Sequence, residues 1–226
     1  MAKRFSIEFK EAKTPIQELV TKFGGQPVWV SQPQWPVSKK TGEPMRFICQ
    51  IAIDPILFGA CPARMAYLFI TDGDQYVDGT WEPDGGENAV ILQPGSSSVQ
   101  CSVISNGPTL YRMVKKTFRK ELKPQPCEFG VQLAVAEDEK YVPGEERSVW
   151  EESQRRQYAE KLDGNKIGGT PVFLQADEFP TPGDWRLLLQ LDSTNLPFYL
   201  NFGDAGMGYS FLSKDGMSAK FLWQCL

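Results

Sequence analysis

Three polar residues at even spacing, Arg46, Gln50 and Asp54, recur later in the chain as Arg186, Gln190 and Asp192. In an extended strand, side chains two, four or six apart share a face, so each trio would form a polar row. Two such rows could flank a groove in which Trp29, Trp35, Phe173 and Phe179 supply apolar contact, and a groove of that kind takes a peptide or a small ligand. The alternative is a half-buried strand whose polar side is solvated or holds internal hydrogen bonds. Proton-transfer chemistry is poorly served. The chain has no histidine, which removes Ser-His-Asp and Cys-His arrangements, HExxH sites and the side chain best matched to proton transfer near neutral pH.

Other clusters give weaker signals. The glycine pair Gly24-Gly25 is followed by Gln26-Pro27-Val28-Trp29, an extended sequence. A phosphate cradle instead needs a helix N-terminus directly after its glycines. The carboxylate-rich stretch Asp72–Glu87 has Tyr76 and Val77 where a calcium loop needs an oxygen ligand and a glycine, so it reads as a solvated loop between strands. The run Tyr111–Lys123 carries six basic residues against one acidic and reads as an exposed face or an internal charge partner.

The elements that would position these residues recur too. Lys22–Pro36 and Lys166–Pro180, compared without gaps, are identical at six of fifteen positions, and Trp29 and Trp35 fall opposite Phe173 and Phe179. "RFICQ" at 46–50 then matches "RLLLQ" at 186–190, and "MAYLFI" at 65–70 matches "MGYSFL" at 207–212, in the same order. Each half reads as opening with a helix. Thr14 to Gln17 is a capping-box pattern with Pro15 at the first helical position and Gly24 as the stop, while Ser148 and Glu151 open a second helix that ends at Gly164. Short aromatic or β-branched runs at 5–9, 66–70, 89–92, 129–136 and 220–225 read as strands.

The expected fold is therefore mainly β, a β roll with α+β elements. It would be one domain over residues 1–226, built by internal duplication of a helix, glycine-turn and strands unit with pseudo-two-fold symmetry. Repeat 1 covers about 14–70, a divergent insert about 75–147 and repeat 2 about 148–226.

The net charge of −4 and pI near 5.1 give no electrostatic footprint for nucleic acid. No run approaches a membrane span and no signal-peptide core follows the start, so the expected location is the cytoplasm. Five scattered cysteines read as buried thiols, and neither a cofactor nor a metal is expected.

At "GGQPVWVSQPQWP" (24–36), "GEPMRFICQIAID" (42–54), "NFGDAGMGYSFL" (201–212) and the terminal "WQC" (223–225) the chain resembles the YwqG-like family of uncharacterised bacterial proteins. That resemblance implies a duplicated β roll and no established activity. A more distant likeness, in Gly24–Trp29 and Phe47–Gln50, is to the programmed-cell-death-2 family, chaperones of a ribosomal protein. Those carry paired cysteines before the second segment, where this chain has "KKTGEPM".

Together these readings favour a non-catalytic module, chaperone-like or immunity-like, whose partner is another protein or peptide. The competing reading is a small-molecule or carbohydrate binder, extending to a carboxylate-based hydrolase. A long open groove favours the first, and a deep pocket with converging carboxylates the second. Oligomeric state is open.

Overall fold

The computed structural model describes residues 1–73, 77–115 and 122–226. In chain order the elements are β1 (Ala2–Glu11), β2 (Lys22–Gly24), β3 (Trp35–Pro36), β4 (Arg46–Ala52), α1 (Pro55–Phe58), β5 (Met65–Ile70), β6 (Asn88–Gln93), β7 (Cys101–Ser102), β8 (Tyr111–Lys115), β9 (Leu122–Pro126) and β10 (Glu128–Asp138). There follow α2 (Gly144–Arg147), α3 (Glu152–Leu162), β11 (Lys166–Gly168), β12 (Trp185–Asp192), β13 (Met207–Ser213) and β14 (Ala219–Gln224).

Ten strands form one antiparallel sheet in the order β14-β13-β12-β11-β1-β10-β2-β4-β5-β6. The sheet curls until its outermost strands, β6 and β14, lie beside each other, a nearly closed barrel. Alternation along the strands explains the curl. Ala66, Leu68 and Ile70 of β5, Leu212 of β13 and Phe221 and Trp223 of β14 point into a central core with Phe5, Phe23 and Phe129. The intervening residues face outward. Met65, Tyr67 and Phe69 lie under Trp29 and Trp35, and Met207, Tyr209 and Phe211 lie under Phe173, Phe179 and α3. Where both faces are covered, as along β5 and β13, the strand is buried at nearly every position, whereas β1 and β10 are partly exposed.

The strand expectations at 5–9, 66–70 and 89–92 fall within β1, β5 and β6, and those at 129–136 and 220–225 on β10 and β14. The second helix forms one turn later than expected. Glu151 caps α3 in a capping box with Gln154, and Ser148 ends the short α2.

The first helix does not form. Residues 12–21 are irregular because partners elsewhere hold the groups a helix would need. Glu128 takes the Ile16 N–H at 3.1 Å, Lys22 donates to the Ile16 carbonyl at 2.8 Å, and Gln50 donates to the carbonyls of Glu18 and Val20. The carboxylate-rich stretch is less solvated than expected: Thr80 and Glu87 are buried. Residues 74–76 of that stretch and 116–121 of the basic run lie outside the described residues. The flanks of the basic run form the β8–β9 hairpin.

Candidate functional site

The polar rows are split by a feature that spacing does not reveal. The pairing of β4 with β5 shifts between Phe47 and Cys49, and that of β12 with β13 shifts between Leu187 and Leu189. One extra residue in a strand reverses the facing of everything beyond it. Gln50 thus shares the outer face with its neighbour Tyr67, and Gln190 with Tyr209, whereas Arg46 lies opposite inward-facing Ile70 and Arg186 opposite inward-facing Leu212.

Gln50 and Gln190 are fully buried and bonded to backbone. Gln50 Oε1 accepts from Val28 N–H at 2.8 Å while its amide donates to Glu18 and Val20. Gln190 Oε1 accepts from Val172 N–H at 3.0 Å while its amide donates to Leu162 and Gly164, at the end of α3. Gln93 and Gln224 act alike one layer out. Gln93 bonds Val30, Ser31 and Gln32, and Gln224 bonds Gln175, Ala176 and Glu178. These amides pin the loops that cover the two outer faces.

The other predicted residues have separate duties. Asp54 caps α1 by accepting from Ile56 N–H at 2.8 Å, and Asp192 caps a single 3-10 turn through Thr194 and Asn195. Arg46 stacks 4.3 Å over the Tyr111 ring and pairs with Asp72. Arg186 donates to the Phe58 carbonyl at 2.9 Å. Trp29 and Trp35 meet at 6.3 Å in one outer cluster, and Phe173 and Phe179 at 5.1 Å in the other. The two aromatic pairs belong to different clusters, so the ten residues do not line one groove.

Two buried lysines went unassigned in the sequence reading although both head the matched segments. Lys22 pairs with Glu128 at 2.7 Å. Lys166 donates to Asp138 at 2.8 Å and to the carbonyls of Leu162 and Thr170, and Arg4 Nε lies 2.8 Å from the other Asp138 oxygen without hydrogen-bond alignment. Burial pulls the Lys166 pKa down to about 8 against the pull of Asp138.

Two surface features among the described residues stand outside these staples. The first is an edge of β10. That strand pairs with β1 along its length but with β2 only at Glu128–Gly130, and no described backbone group bonds the other edge from Gln132 to Glu137. Leu133 and Val135 on this stretch are 37% and 65% exposed. The Thr170 turn, whose hydroxyl bonds the Glu139 carbonyl, bounds the far end. The second feature is an open cavity of about 380 Å³ beside β14, lined by Trp81, Gln175, Glu178, Gly203, Asp204, Trp223, Gln224 and Cys225.

With this geometry in hand, one comparison is decisive: the family described as a domain of unknown function, DUF1963, matches residues 21–225. The chain belongs to that family. Among curated proteins nothing matches. The DUF1963 span holds the four glutamine staples and both lysines but leaves out β1, the strand that joins the two halves of the sheet. Among the described residues no helix is long and apolar enough to cross a membrane.

Proposed function

We propose that this protein is a non-catalytic module that binds another polypeptide by adding a strand of that partner to the open edge of β10. The supporting observation is that edge. An unpaired strand presents alternating N–H and C=O groups that only another extended backbone satisfies in full. Six residues from Gln132 to Glu137 offer roughly 20 Å of edge, and Leu133 and Val135 give the partner an apolar footing. The edge lacks proline, lysine and bulge, the usual protections against strand addition.

The acidic balance of the chain favours a basic partner segment, as a chaperone-like or immunity-like role requires. The free cysteines suit a reducing compartment, and we place the protein in the cytoplasm. Matching contacts at Gln50 and Gln190, Gln93 and Gln224, and Lys22 and Lys166 support reading the halves as copies of one unit. The segments shared with the YwqG-like and programmed-cell-death-2 proteins contribute the Gln50 staple and the Trp29 cover, so that likeness carries scaffold more than activity.

The test is capture of partners from native lysate by wild type and by the Leu133→Lys/Val135→Lys double variant. A partner held by wild type and lost by the variant, with hydrogen-exchange protection appearing at 132–137 in the complex, supports the reading. Equal capture by both proteins overturns it.

A further inference from the structure

The open edge of β10 is stopped at both ends and, near β2, overhung by a further strand. Along the ladders Gly130 of β10 lies opposite Lys22 of β2, and Lys22 opposite Gln50 of β4. β4 runs on to Ile51 and Ala52, so it overhangs Val131 and Gln132 one strand further out. Buried Thr21 stands between them, its Oγ1 accepting from the Ala52 N–H at 3.0 Å. Ile16 lies over Gly130, 3.4 Å from the point where a Cβ would stand. At the other end the Thr170 hydroxyl donates to the Glu139 carbonyl at 2.6 Å. Between these stops the backbone alternates. The Ala12 N–H bonds the Glu128 carbonyl, so by the β1 register the groups of Gln132, Ala134 and Ala136 face β1, and those of Leu133, Val135 and Glu137 face the open edge. Side chains divide the same way. Leu133 and Val135 lie on the core side with Phe129, opposite Ile7 and Phe5 of β1, while Ala134 and Ala136 lie on the other side.

We infer that this edge is a slot for a single linear segment of about six residues, a flexible tail or loop of the partner, and that it excludes the edge of a folded sheet. The inference rests on the strand-addition reading and narrows its partner. A lone segment fits between Thr21 and the Thr170 turn and can leave the sheet plane at either end. A folded sheet brings a second strand about 4.8 Å further out, and beside Gln132 that strand meets the overhanging β4. A second copy of this chain is excluded for a related reason. Its β10 carries β2 on the same edge, so antiparallel pairing of two β10 edges drives each β2 against the Glu139 end of the other copy, where the Thr170 turn already stands. The two sides of the slot set the pattern of the segment. Residues beside Leu133 and Val135 gain from being apolar. Those beside Ala134 and Ala136 meet no side chain beyond Cβ, so long side chains fit there, and the acidic balance of the chain favours lysine or arginine. The segment therefore alternates apolar and basic residues.

The experiment uses end-blocked synthetic peptides: a hexapeptide alternating lysine and valine, its tetrapeptide fragment, a decapeptide lengthened with threonine and valine, and a block isomer with all lysines before all valines. A further probe holds the alternating strand in a disulfide-closed hairpin with an Asn-Gly turn. Calorimetry gives affinity and hydrogen exchange gives the site, on wild type and on Leu133→Lys/Val135→Lys. The hexapeptide should bind wild type saturably, protect residues 132–137 and lose its binding in the variant. The tetrapeptide should bind about tenfold more weakly, since it forgoes part of the ladder, and the decapeptide no more tightly than the hexapeptide. The hairpin should bind about tenfold more weakly or worse, because contact with β4 cuts its ladder short, and the block isomer should also fall behind. Hairpin or block isomer binding as tightly as the hexapeptide, a further gain from hexapeptide to decapeptide, or a wild-type dimer that the variant dissolves overturns the slot and leaves strand addition standing. Absence of protection at 132–137 with every peptide also overturns the slot. If capture from lysate still depends on Leu133 and Val135 in that case, strand addition survives, and if it does not, both readings fall.

Discussion

The half of the sheet around β2 and β4 and the half around β11 and β12 solve one problem with different materials. In each, a buried glutamine and a buried lysine need backbone carbonyls to receive their N–H groups. Around β11 those carbonyls come from the end of α3: Gln190 and Lys166 both donate to Leu162. A helix C-terminus has such groups to spare, because its last carbonyls have no intrahelical partner. Around β2 the same service comes from an irregular loop, through Ile16, Glu18 and Val20. A staple of this kind therefore specifies where acceptors must lie, and leaves open which secondary structure brings them there.

The lysines should separate the halves most sharply. Lys166→Met leaves Asp138, whose side chain is fully buried, with the Thr170 N–H and a poorly aligned Arg4 in place of its ammonium partner, and should cost about 3–5 kcal/mol. Lys22→Met frees Glu128, whose side chain is 12% exposed and can recruit water, and should cost less, roughly 1–3 kcal/mol. Urea midpoints of the two variants measure the difference, and equal losses would erase the distinction.

The glutamines should behave as equals. Gln50→Leu strands one N–H and two carbonyls, and Gln190→Leu one N–H and the Gly164 carbonyl, since Leu162 keeps Lys166 as its donor; each should cost about 1–3 kcal/mol. A much smaller loss at Gln50 would mean that the 12–21 loop relaxes to water where α3 does not. Hydrogen exchange at Val28 and Val172 reads this directly, since both amide protons lose their acceptor.

The smallest effect is in pH. With the folded pKa of Lys166 near 8 and its usual value at 10.5, the unfolded chain binds more protons between these limits, so this group makes stability rise with pH from about 8 upward. Burial acts oppositely on the thiols: Cys127 is pushed up to about 11 and Cys49 higher still from 9.0. Unfolded thiols then ionise first, and stability falls above pH 9. Wild type should gain on the order of 1 kcal/mol from pH 8 to 9 and then lose it. Lys166→Met should show only the fall.

Much of the architecture could be read from residues, and its failures have physical causes. The runs of β5, β6, β13 and β14 declare themselves because a strand covered on both faces must be apolar at nearly every position. The helix expected from Thr14 failed because a local capping pattern cannot register that Glu128, over a hundred residues away, holds the Ile16 N–H. The polar rows failed at a bulge, which changes facing without changing composition. Trp81, Glu178 and Asp204 carried no shared spacing at all, since the cavity draws on three loops and a strand. Trp223 was visible within "WQC", and its neighbour Gln224 echoes Gln93, a repetition that comparison of the two strand ends could have found.

The glycine turns carry one more consequence, concerning which sequences can be reached from this one by single changes. Gly25 and Gly169 sit at φ +64° and +80°, and a Cβ on either would lie 2.3 Å from a carboxylate atom, of Glu128 and Asp138 respectively. Those carboxylates neutralise Lys22 and Lys166. Replacing a glycine first drives a side chain into the ion pair, and removing the acid first leaves a buried ammonium unmatched. Each turn is thus a three-residue lock of glycine, acid and lysine whose members must change together. Single-site scanning would score all three as intolerant without disclosing that they are one constraint.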